Sequence, residues 1–477
     1  MAFKLFDYQE RLVDEARTHI ANGHKGVLIQ SPPGSGKSVV IAEIVKQASL
    51  KGNHTLFLVH RIELANQIEE TFQSHGVDMN HVSILSPQRA RNRIGKIPDP
   101  KIIVTDETHH SRAKSYLDVY EAYPEAVHLG FTATPWRMNR KGFTDIFDKL
   151  VLGESVEWLI ENKNLAPYIY KSVNLIERKK LKKASTGDYN KSSIDDALGK
   201  YIFGDVVKNY QKHANGEQAI LYAHSIEASI KFAEEFRANG ITAEHADSKT
   251  PAALRERIMN DFKTGKTKVI CNVDLISEGF NVPDCSTVIQ CRPTESLVLF
   301  MQQSMRGMRY RPNKVSMILD HVGNYARHGL PDTERDWEVH FNGREKKSGE
   351  FHEAESITEC ESCFVVFSRK VHGNICPECG HDNAEVVEKD LLKEDAELVD
   401  ITQESFKADY LLINYAKKDK KELKTFEDAV LFCIAREYKT SWIKFNSNAR
   451  DMSWQVFNSE VNKVIKKYPQ YEKLIKR

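Results

Sequence analysis

The segment Ser31–Ser38, with the sequence SPPGSGKS, combines glycines, a lysine and a hydroxyl group at the spacing of a phosphate-binding loop. The strict pattern begins with glycine, whereas position 31 here is serine. An apolar run precedes the segment and a helical pattern follows it, so backbone N–H groups would face an anion at a helix N-terminus. We predict an NTP-binding loop, with a structural Gly/Pro-rich turn as the alternative. The predicted nucleotide-binding residues are Pro33, Gly34, Ser35, Gly36, Lys37 and Ser38.

An acidic pair, Asp106 and Glu107, follows the predicted strand Ile102–Thr105. Beside a phosphate loop, Asp106 together with the Ser38 hydroxyl would hold Mg²⁺, and Glu107 would orient and deprotonate the attacking water. These groups suffice for phosphoanhydride hydrolysis, in which Lys37 would contact the β- and γ-phosphates. The alternative is a solvated surface turn.

Two arginines, Arg306 and Arg309, lie three residues apart in a predicted helix that spans Ser296–Arg309. Such spacing places both side chains on one helix face. Guanidinium groups suit the stabilisation of charge on a transferring phosphoryl group, so we predict both as catalytic. A surface salt-bridge pair is the alternative.

Four cysteines form two C-x-x-C pairs separated by twelve residues, a spacing typical of a structural Zn²⁺ site in a ribbon. Free thiols and an iron–sulfur cluster are the alternatives. The ribbon could contact DNA or a protein partner, or could simply stabilise a small module. The predicted zinc ligands are Cys360, Cys363, Cys376 and Cys379.

The elements that must position these groups alternate between buried β-branched strands and helices, once before about residue 150 and again after Gln218. This alternation predicts an α/β protein with two parallel sheets. A lysine-rich stretch at 417–424 indicates a solvated helix face, or alternatively a DNA-backbone contact aided by Tyr415 or Trp442. The predicted domains are 1–165, 166–340, a linker with the zinc ribbon at 341–385, and a helical C-terminal module at 386–477.

The bulk composition is ordinary, because 41% of the 477 residues are hydrophobic and the net charge is +1. We expect no membrane span, since no apolar run approaches about 18 residues. The N-terminus has no apolar signal-peptide core, so a cytoplasmic location is expected. With so little net charge, nucleic-acid binding would require clustered basic residues.

The ordered set of motifs over roughly residues 4–335 resembles the superfamily 2 DEAD/DEAH-box helicases, on the branch of phage and prophage helicases and restriction-enzyme motor subunits. The phosphate loop corresponds to motif I, Asp106-Glu-Thr-His109 to motif II and Gln302–Arg309 to motif VI. The resemblance implies two RecA-like domains that clamp ATP and Mg²⁺ in a cleft and grip nucleic acid through its phosphates. It also implies a bacterial or phage-infected host cell.

The resemblance assigns further residues. Gln9 belongs to an adenine-reading motif, and Arg306 and Arg309 become arginine fingers. Motif V would contribute Glu278, Gly279 and Asn281 to nucleotide binding, and contacts to nucleic acid or coupling to it would involve Arg61, His109, Thr132, Thr134, His224 and Ser225.

Three positions depart from the family pattern. Met305 replaces a glycine of motif VI, Asn281 replaces an aspartate of motif V, and Thr108 replaces the commonest alanine of motif II at a place with no obvious chemistry. The implied activity is that of an ATP-dependent DNA helicase or translocase in replication, recombination or repair, with forked or branched DNA as one candidate substrate. A duplex translocase without strand separation and an ATPase switch recruited by a protein partner are the alternatives; RNA is the less favoured substrate.

Overall fold

The computed structural model describes most of the two predicted α/β regions and much of the C-terminal region. The described residues are 4–59, 65–108, 111, 113–135, 142–173, 201–273, 275, 282, 284–343, 357–359, 366–368, 380, 392–394, 397–418, 420–436, 438–446, 449 and 452–475.

Helices and strands alternate through both α/β regions, and further helices follow them. The helices are α1 Asp7–Ala21, α2 Lys37–Ser49, α3 Ala65–His75, α4 Pro87–Arg91, α5 Lys114–Ala122, α6 Val156–Glu161, α7 Val206–Ala214, α8 Ile226–Ala238, α9 Ala252–Lys263, α10 Leu297–Ser304, α11 Tyr325–His328, α12 Trp337–Asn342, α13 Gln403–Lys417, α14 Phe426–Ala435, α15 Ser441–Asn446 and α16 Trp454–Lys467. The strands are β1 Gly26–Gln30, β2 Thr55–Leu58, β3 Val82–Leu85, β4 Ile102–Thr105, β5 Val127–Thr132, β6 Lys149–Leu152, β7 Tyr168–Val173, β8 Tyr201–Phe203, β9 Ala219–Ala223, β10 Ala243–Ala246, β11 Val269–Asn272, β12 Thr287–Cys291, β13 Ser316–Asp320, β14 Ile357–Glu359, β15 Val366–Ser368, β16 Leu392–Glu394 and β17 Leu398–Asp400.

The first sheet has the strand order β3-β2-β4-β5-β1-β6, and its neighbouring strands are parallel. Strand β1, which lies between β5 and the edge strand β6, is buried along its whole length, because helices cover parallel sheets on both faces. Strands β4, β5 and β1 are neighbours, so the loops that follow them meet at one edge of the sheet.

The second sheet has the order β10-β11-β9-β12-β13-β7-β17. Its strands are parallel except for β17, which pairs antiparallel with β7. A segment from beyond residue 390 thus completes the sheet of the second α/β region. The prediction of two parallel-sheet α/β domains is confirmed, whereas the exact domain limits stay predictions.

The chain returns to the first sheet after it has left the second. Phe341 in α12 packs in one cluster with Leu28, Phe143 and Phe147. The backbone N–H of Phe143 donates to the carbonyl of Phe341 at 2.7 Å. Part of one face of the first sheet is thus covered by α12, which follows strand β13 of the second sheet in the chain.

The C-terminal helices α13 to α16 enclose a hydrophobic core of their own, centred on Val430, Leu431, Ile443 and Phe457. Among the described residues, no helix is long and apolar enough to cross a membrane. The four cysteines of the predicted zinc ribbon lie outside the described residues, so the ribbon stays a prediction.

Candidate nucleotide site

The phosphate loop bends through two glycines in the left-handed region, Gly34 at φ +83° and Gly36 at φ +86°. Other residues adopt this conformation at a cost, which explains the glycines. The hydroxyl of Ser35 donates to the Pro32 carbonyl at 2.6 Å, and Ser31 donates to the Ser35 hydroxyl at 2.6 Å. The serine in place of the first glycine therefore stabilises the loop through a hydrogen bond within it.

Two residues of α1 support the loop from outside. The hydroxyl of Tyr8 and the amide nitrogen of Gln9 both donate to the Ser35 carbonyl, at 2.7 and 3.1 Å. The other end of the Gln9 amide accepts the backbone N–H of Phe6 at 3.0 Å. Burial raises the pKa of Tyr8 to about 12, so the hydroxyl stays protonated and remains a donor well above neutral pH. Adenine reading by Gln9 stays a prediction.

Lys37 opens α2, and its ammonium group lies 3.4 Å from the Ser31 carbonyl. Ser38 follows in the first turn of the same helix. Hydroxyl and carboxylate oxygens are the ligands that Mg²⁺ prefers, so Ser38 and Asp106 have the right chemistry to hold it.

The acidic pair lies at the end of β4. Glu107 has φ +49°, a left-handed backbone rare for a residue other than glycine. Its N–H donates to the Asp106 carboxylate at 2.9 Å, so the two acids are ordered together. Strain of this kind concentrates at functional sites, where the surroundings hold a side chain in one direction.

Thr108 has a structural role that the local sequence does not indicate. Its hydroxyl is fully buried and donates to the Phe131 carbonyl at 2.7 Å, joining the acidic pair to β5. The phosphate loop is joined to the same strand, since the Ser31 N–H donates to the Thr132 carbonyl at 3.0 Å. The phosphate loop, the acidic pair and the end of β5 therefore share one hydrogen-bonded edge.

Thr132 and Thr134, predicted to couple nucleotide and nucleic acid, are both buried. The Thr132 hydroxyl donates to the Thr134 carbonyl at 2.9 Å and accepts the Thr134 N–H at 3.2 Å. The side chain of Gln30 donates to the Ala133 carbonyl at 3.0 Å. The segment after β5 is thereby fixed to the strand that leads into the phosphate loop.

The two arginines of motif VI do not share a helix, contrary to the prediction. Helix α10 ends at Ser304, Arg306 lies in the turn that follows, and Arg309 forms an isolated β-bridge with Leu165. Beyond the helix the chain packs tightly against β13 and the residue before β12: a methyl group on Gly307 would lie 2.3 Å from the Ser316 hydroxyl and 3.1 Å from the Ser286 carbonyl. Burial, and secondarily the nearby Arg306, lower the pKa of Arg309 to about 10, so it stays charged at neutral pH.

The replacement of glycine by Met305 has a simple explanation. Met305 has φ −83° and ψ 1°, which any L-residue adopts, and its side chain is buried in the core of the second region. Motif VI therefore keeps a regular backbone without the family's glycine.

A short connection, Leu165–Ala166, joins the phosphate loop to motif VI. A side-chain methyl of Leu165 lies 3.0 Å from the position that a Cβ on Gly34 would take. Leu165 also forms an antiparallel bridge with Arg309, and the Ala166 N–H donates to the Met308 carbonyl at 2.7 Å. One residue thus contacts the loop with its side chain and the arginine segment with its backbone.

His224 and Ser225 lie at the carboxyl end of β9, at the same edge of the sheet as the end of β12. The Ser225 hydroxyl accepts the Ala228 N–H at 3.1 Å and caps α8, a structural use beyond the predicted nucleic-acid contact. His224 is partly buried.

Predicted site residues outside the described part of the chain are Arg61, His109, Glu278, Gly279, Asn281, Cys360, Cys363, Cys376 and Cys379.

A buried polar cluster at the ends of β12 and β13 was not predicted as a site. The Asp320 carboxylate, fully buried, accepts N–H groups of Val322, Gly323 and Tyr325 and the Tyr170 hydroxyl, at 2.8–3.2 Å. A sequence signal for it exists in the stretch from Leu319 to Pro331, which is similar to a segment that follows motif VI in phage-type helicases.

Within the described residues, no group of three or more His, Cys, Asp or Glu side chains is arranged to hold a metal ion.

The family models agree with this geometry. Residues 2–98 and 84–137 match the model of the type III restriction enzyme res subunit, and residues 198–311 match the helicase conserved C-terminal domain. A Lactococcus phage protein described as a 51.5 kDa protein is 52% identical over 380 residues, 80% of this chain and 83% of its own length.

The chain belongs to the superfamily 2 helicases related to restriction-enzyme motor subunits. It is an ATP-hydrolysing enzyme of that class. A more distant relative, the DNA 3'-5' translocase XPB2 of Sulfurisphaera tokodaii, is 24% identical over 348 residues, 62% of this chain and 77% of the relative.

Solved structures share the fold. The type ISP restriction-modification enzyme LlaBIII bound to DNA matches with a TM-score of 0.51 at 18% identity, over 67% of this chain and 28% of that enzyme. A fragment ascribed to an HsdR subunit of a type I restriction enzyme from Vibrio vulnificus YJ016 matches with a TM-score of 0.52 at 20% identity, over 68% of this chain and 65% of the fragment.

Proposed function

We propose that this helicase is an ATP-driven motor on DNA that acts in replication, recombination or repair, with forked or branched DNA as its preferred substrate. The observation that carries the proposal is the shared edge of the first sheet. There the phosphate loop, the acidic pair and the Thr132–Thr134 segment are hydrogen-bonded to one another through β5.

In this proposal the loop backbone and Lys37 hold the ATP phosphates, and Glu107 takes a proton from the attacking water. When bound, Mg²⁺ at Ser38 and Asp106 neutralises charge on the phosphates. Arg306 and Arg309 stabilise the charge that develops on the γ-phosphoryl group. Gln9 contacts the adenine, and Glu278, Gly279 and Asn281 complete the nucleotide site from the second domain.

Leu165 supports the coupling of hydrolysis to movement. Because it contacts both the Gly34 region and the Arg309 backbone, a change in the loop on ATP binding would reach motif VI directly. Opening and closing of the two domains would then shift their grip on DNA. The proposed nucleic-acid and coupling residues are Arg61, His109, Thr132, Thr134, His224 and Ser225.

Two other functions stay open to test. A duplex translocase would hydrolyse ATP on DNA without separating strands. An ATPase switch recruited by a protein partner would respond weakly to DNA. The altered motif VI raises this alternative, but Met305 has an ordinary backbone conformation, so the alteration itself gives it little support. For the four cysteines we propose structural Zn²⁺, which metal analysis of the purified chain and of Cys376→Ser would test.

The deciding experiment measures ATP hydrolysis alone and with single-stranded, duplex or forked DNA and matched RNA, alongside strand separation. Wild type should be stimulated severalfold by DNA, most by forks, and should displace a strand. Glu107→Gln should bind ATP and DNA but lose more than ~100-fold in hydrolysis, because the base is gone. Equal rates with and without every nucleic acid would refute the motor proposal.

A further inference from the structure

Positive charge is concentrated at the C-terminal end of the chain. Residues 403–477 contain 16 Lys and Arg against 10 Asp and Glu, a net charge of +6, whereas the whole chain carries +1. The remainder is therefore slightly acidic. A basic region attached to a nearly neutral motor is a signature of contact with a polyanion.

This region is fixed to the second sheet. The strand β17 pairs with β7, and the Ile401 N–H donates to the Tyr170 carbonyl at 2.7 Å. At the start of α13, the Gln403 amide donates to Asp332 at 2.6 Å. A ligand bound to the C-terminal helices would thus be held at a set position relative to the motor.

Lysines and an aromatic ring lie together where α13 ends and α15 begins. The ammonium group of Lys420 lies 5.3 Å from the centre of the Trp442 ring, which is partly exposed. Lys421 and Lys424, nearby in sequence, are exposed. We call these four residues the Lys420–Trp442 surface.

Two neighbouring aromatic rings fix the orientation of the Trp442 ring. It lies 5.2 Å from the Phe432 ring and 5.3 Å from the Tyr438 ring, tilted by 33° and 31°. A ring held this way keeps its orientation without an added entropic cost on binding. That property suits a platform on which a nucleic-acid base stacks.

Neighbouring acids are already engaged elsewhere. Asp428 accepts the Tyr415 hydroxyl at 2.5 Å and the backbone N–H groups of Lys424 and Thr425, and its ion pair is with Lys418 at 3.6 Å. Glu427 is paired with Lys467 at 2.6 Å. The stretch 417–424 itself holds five lysines against two acids, Asp419 and Glu422. The charge of the lysines therefore exceeds the local acid.

We propose that the Lys420–Trp442 surface binds single-stranded DNA, with the lysines on the phosphates and Trp442 against a base. This inference rests on the proposed DNA motor for the identity of the strand. Cations beside a fixed aromatic ring match the phosphates and bases that a single strand presents together. A duplex offers phosphates but hides its base faces, so it should use the lysines alone.

The test is the affinity of the full-length protein for a fluorescent single strand, without ATP, across a range of salt concentrations. Lys420→Glu should weaken binding about five- to tenfold and lower the slope of the salt dependence by about 0.7 for each phosphate that the variant no longer binds. Trp442→Leu should weaken single-strand binding about tenfold and duplex binding little. ATP hydrolysis in the absence of DNA should not change.

Two control variants separate a specific loss of binding from a general effect of charge or of unfolding. Lys263→Glu makes the same charge change at an exposed lysine at the end of α9 and should leave affinity near wild type. Trp442→Phe keeps an aromatic ring in the small core and should retain most of the binding, which separates stacking from unfolding.

Unchanged single-strand affinity in both Lys420→Glu and Trp442→Leu would overturn the inference, as would an equal loss for Lys263→Glu. An equal loss of single-strand and duplex binding in Trp442→Leu would also overturn it, because stacking would then play no part. Because binding is measured without ATP, these results stand apart from DNA-stimulated hydrolysis, whose failure would count against the motor proposal.

Discussion

The carboxyl edges of the two parallel sheets are held together in different ways. At the first edge, small hydroxyl side chains and backbone groups make single hydrogen bonds: Ser31 with Ser35, Thr108 with Phe131, Thr132 with Thr134. Each such bond contributes about 1 kcal/mol, so the edge is assembled from many small terms.

At the second edge, one carboxylate organises the structure. Asp320 accepts three backbone N–H groups and a hydroxyl, and Asn324 beside it links the Thr294 N–H to the Arg292 carbonyl. Buried networks of this kind are stable when every member is satisfied and fail together when one is lost. The nucleotide edge can therefore adjust in small steps, whereas the second edge moves as a rigid unit.

Removal of Asp320 tests the rigid edge and should have the largest effect. Asp320→Ala should destabilise the second sheet by roughly 3–5 kcal/mol, because several buried donors lose their acceptor at once. Hydrogen exchange should show lost protection in β12 and β13, with β1 and β4 nearly unchanged. Asp320→Asn, which keeps the size and one acceptor oxygen, should lose less; equal protection in all three proteins would contradict the network.

The phosphate loop gives the next largest effect. Gly34→Ala places a methyl group at φ +83° and 3.0 Å from Leu165, so about 1–2 kcal/mol of strain should weaken ATP-analogue binding about tenfold. Gly52→Ala is the matched control, since its φ is +73° and its Cβ would meet nothing within 4 Å. If both variants bind the analogue like wild type, the loop is more tolerant than its geometry indicates.

Acid should weaken the second edge through His328. Burial lowers the pKa of His328 to about 3, although its ring nitrogen donates to the Thr294 carbonyl at 2.7 Å. The unfolded chain binds a proton near pH 6.5 and the folded chain does not, so stability is full above 6.5 and falls as the pH drops toward 3. At pH 5.5 the loss is about 1.4 kcal/mol.

Urea unfolding at pH 7.5 and 5.5 measures this loss, and His328→Gln is the comparison because glutamine keeps a donor but does not titrate. The wild-type drop should exceed the drop in the variant by about that amount. Equal drops would assign the acid sensitivity to other groups.

The smallest effect is expected at the first edge. Thr108→Ala removes one buried hydrogen bond to the Phe131 carbonyl and should cost about 1 kcal/mol of stability. Thr108→Ser keeps the hydroxyl and should recover most of it. A loss as large as that of Asp320→Ala, in the same exchange experiment, would remove the distinction between the edges.

The sequence predicted the parts of the fold that repeat a strong pattern. The predicted strand Ile102–Thr105 coincides with β4, because side chains buried on both faces leave little choice of residue type. Gly34, Gly36 and Lys37 were found because a backbone that must approach phosphates restricts its sequence.

Other features depend on contacts between distant segments, which local patterns do not carry. The apolar run around Ser296–Arg309 continues past Ser304, yet the helix ends there and Gly307 packs closely against Ser316. The edge strand β17 is three residues long and exists because β7 offers it partners. The bond from Thr108 to Phe131 likewise joins strands that local sequence does not connect.

The return of Phe341 to the first sheet has a consequence for synthesis on the ribosome. Leu28, Phe143 and Phe147 leave the exit tunnel long before their cover does, since every strand of the second sheet up to β13 is made first. During that interval the nascent first domain presents an uncovered aromatic face to the cell. Its final shape is therefore reached late, when the segment that follows the second domain arrives and seals the first.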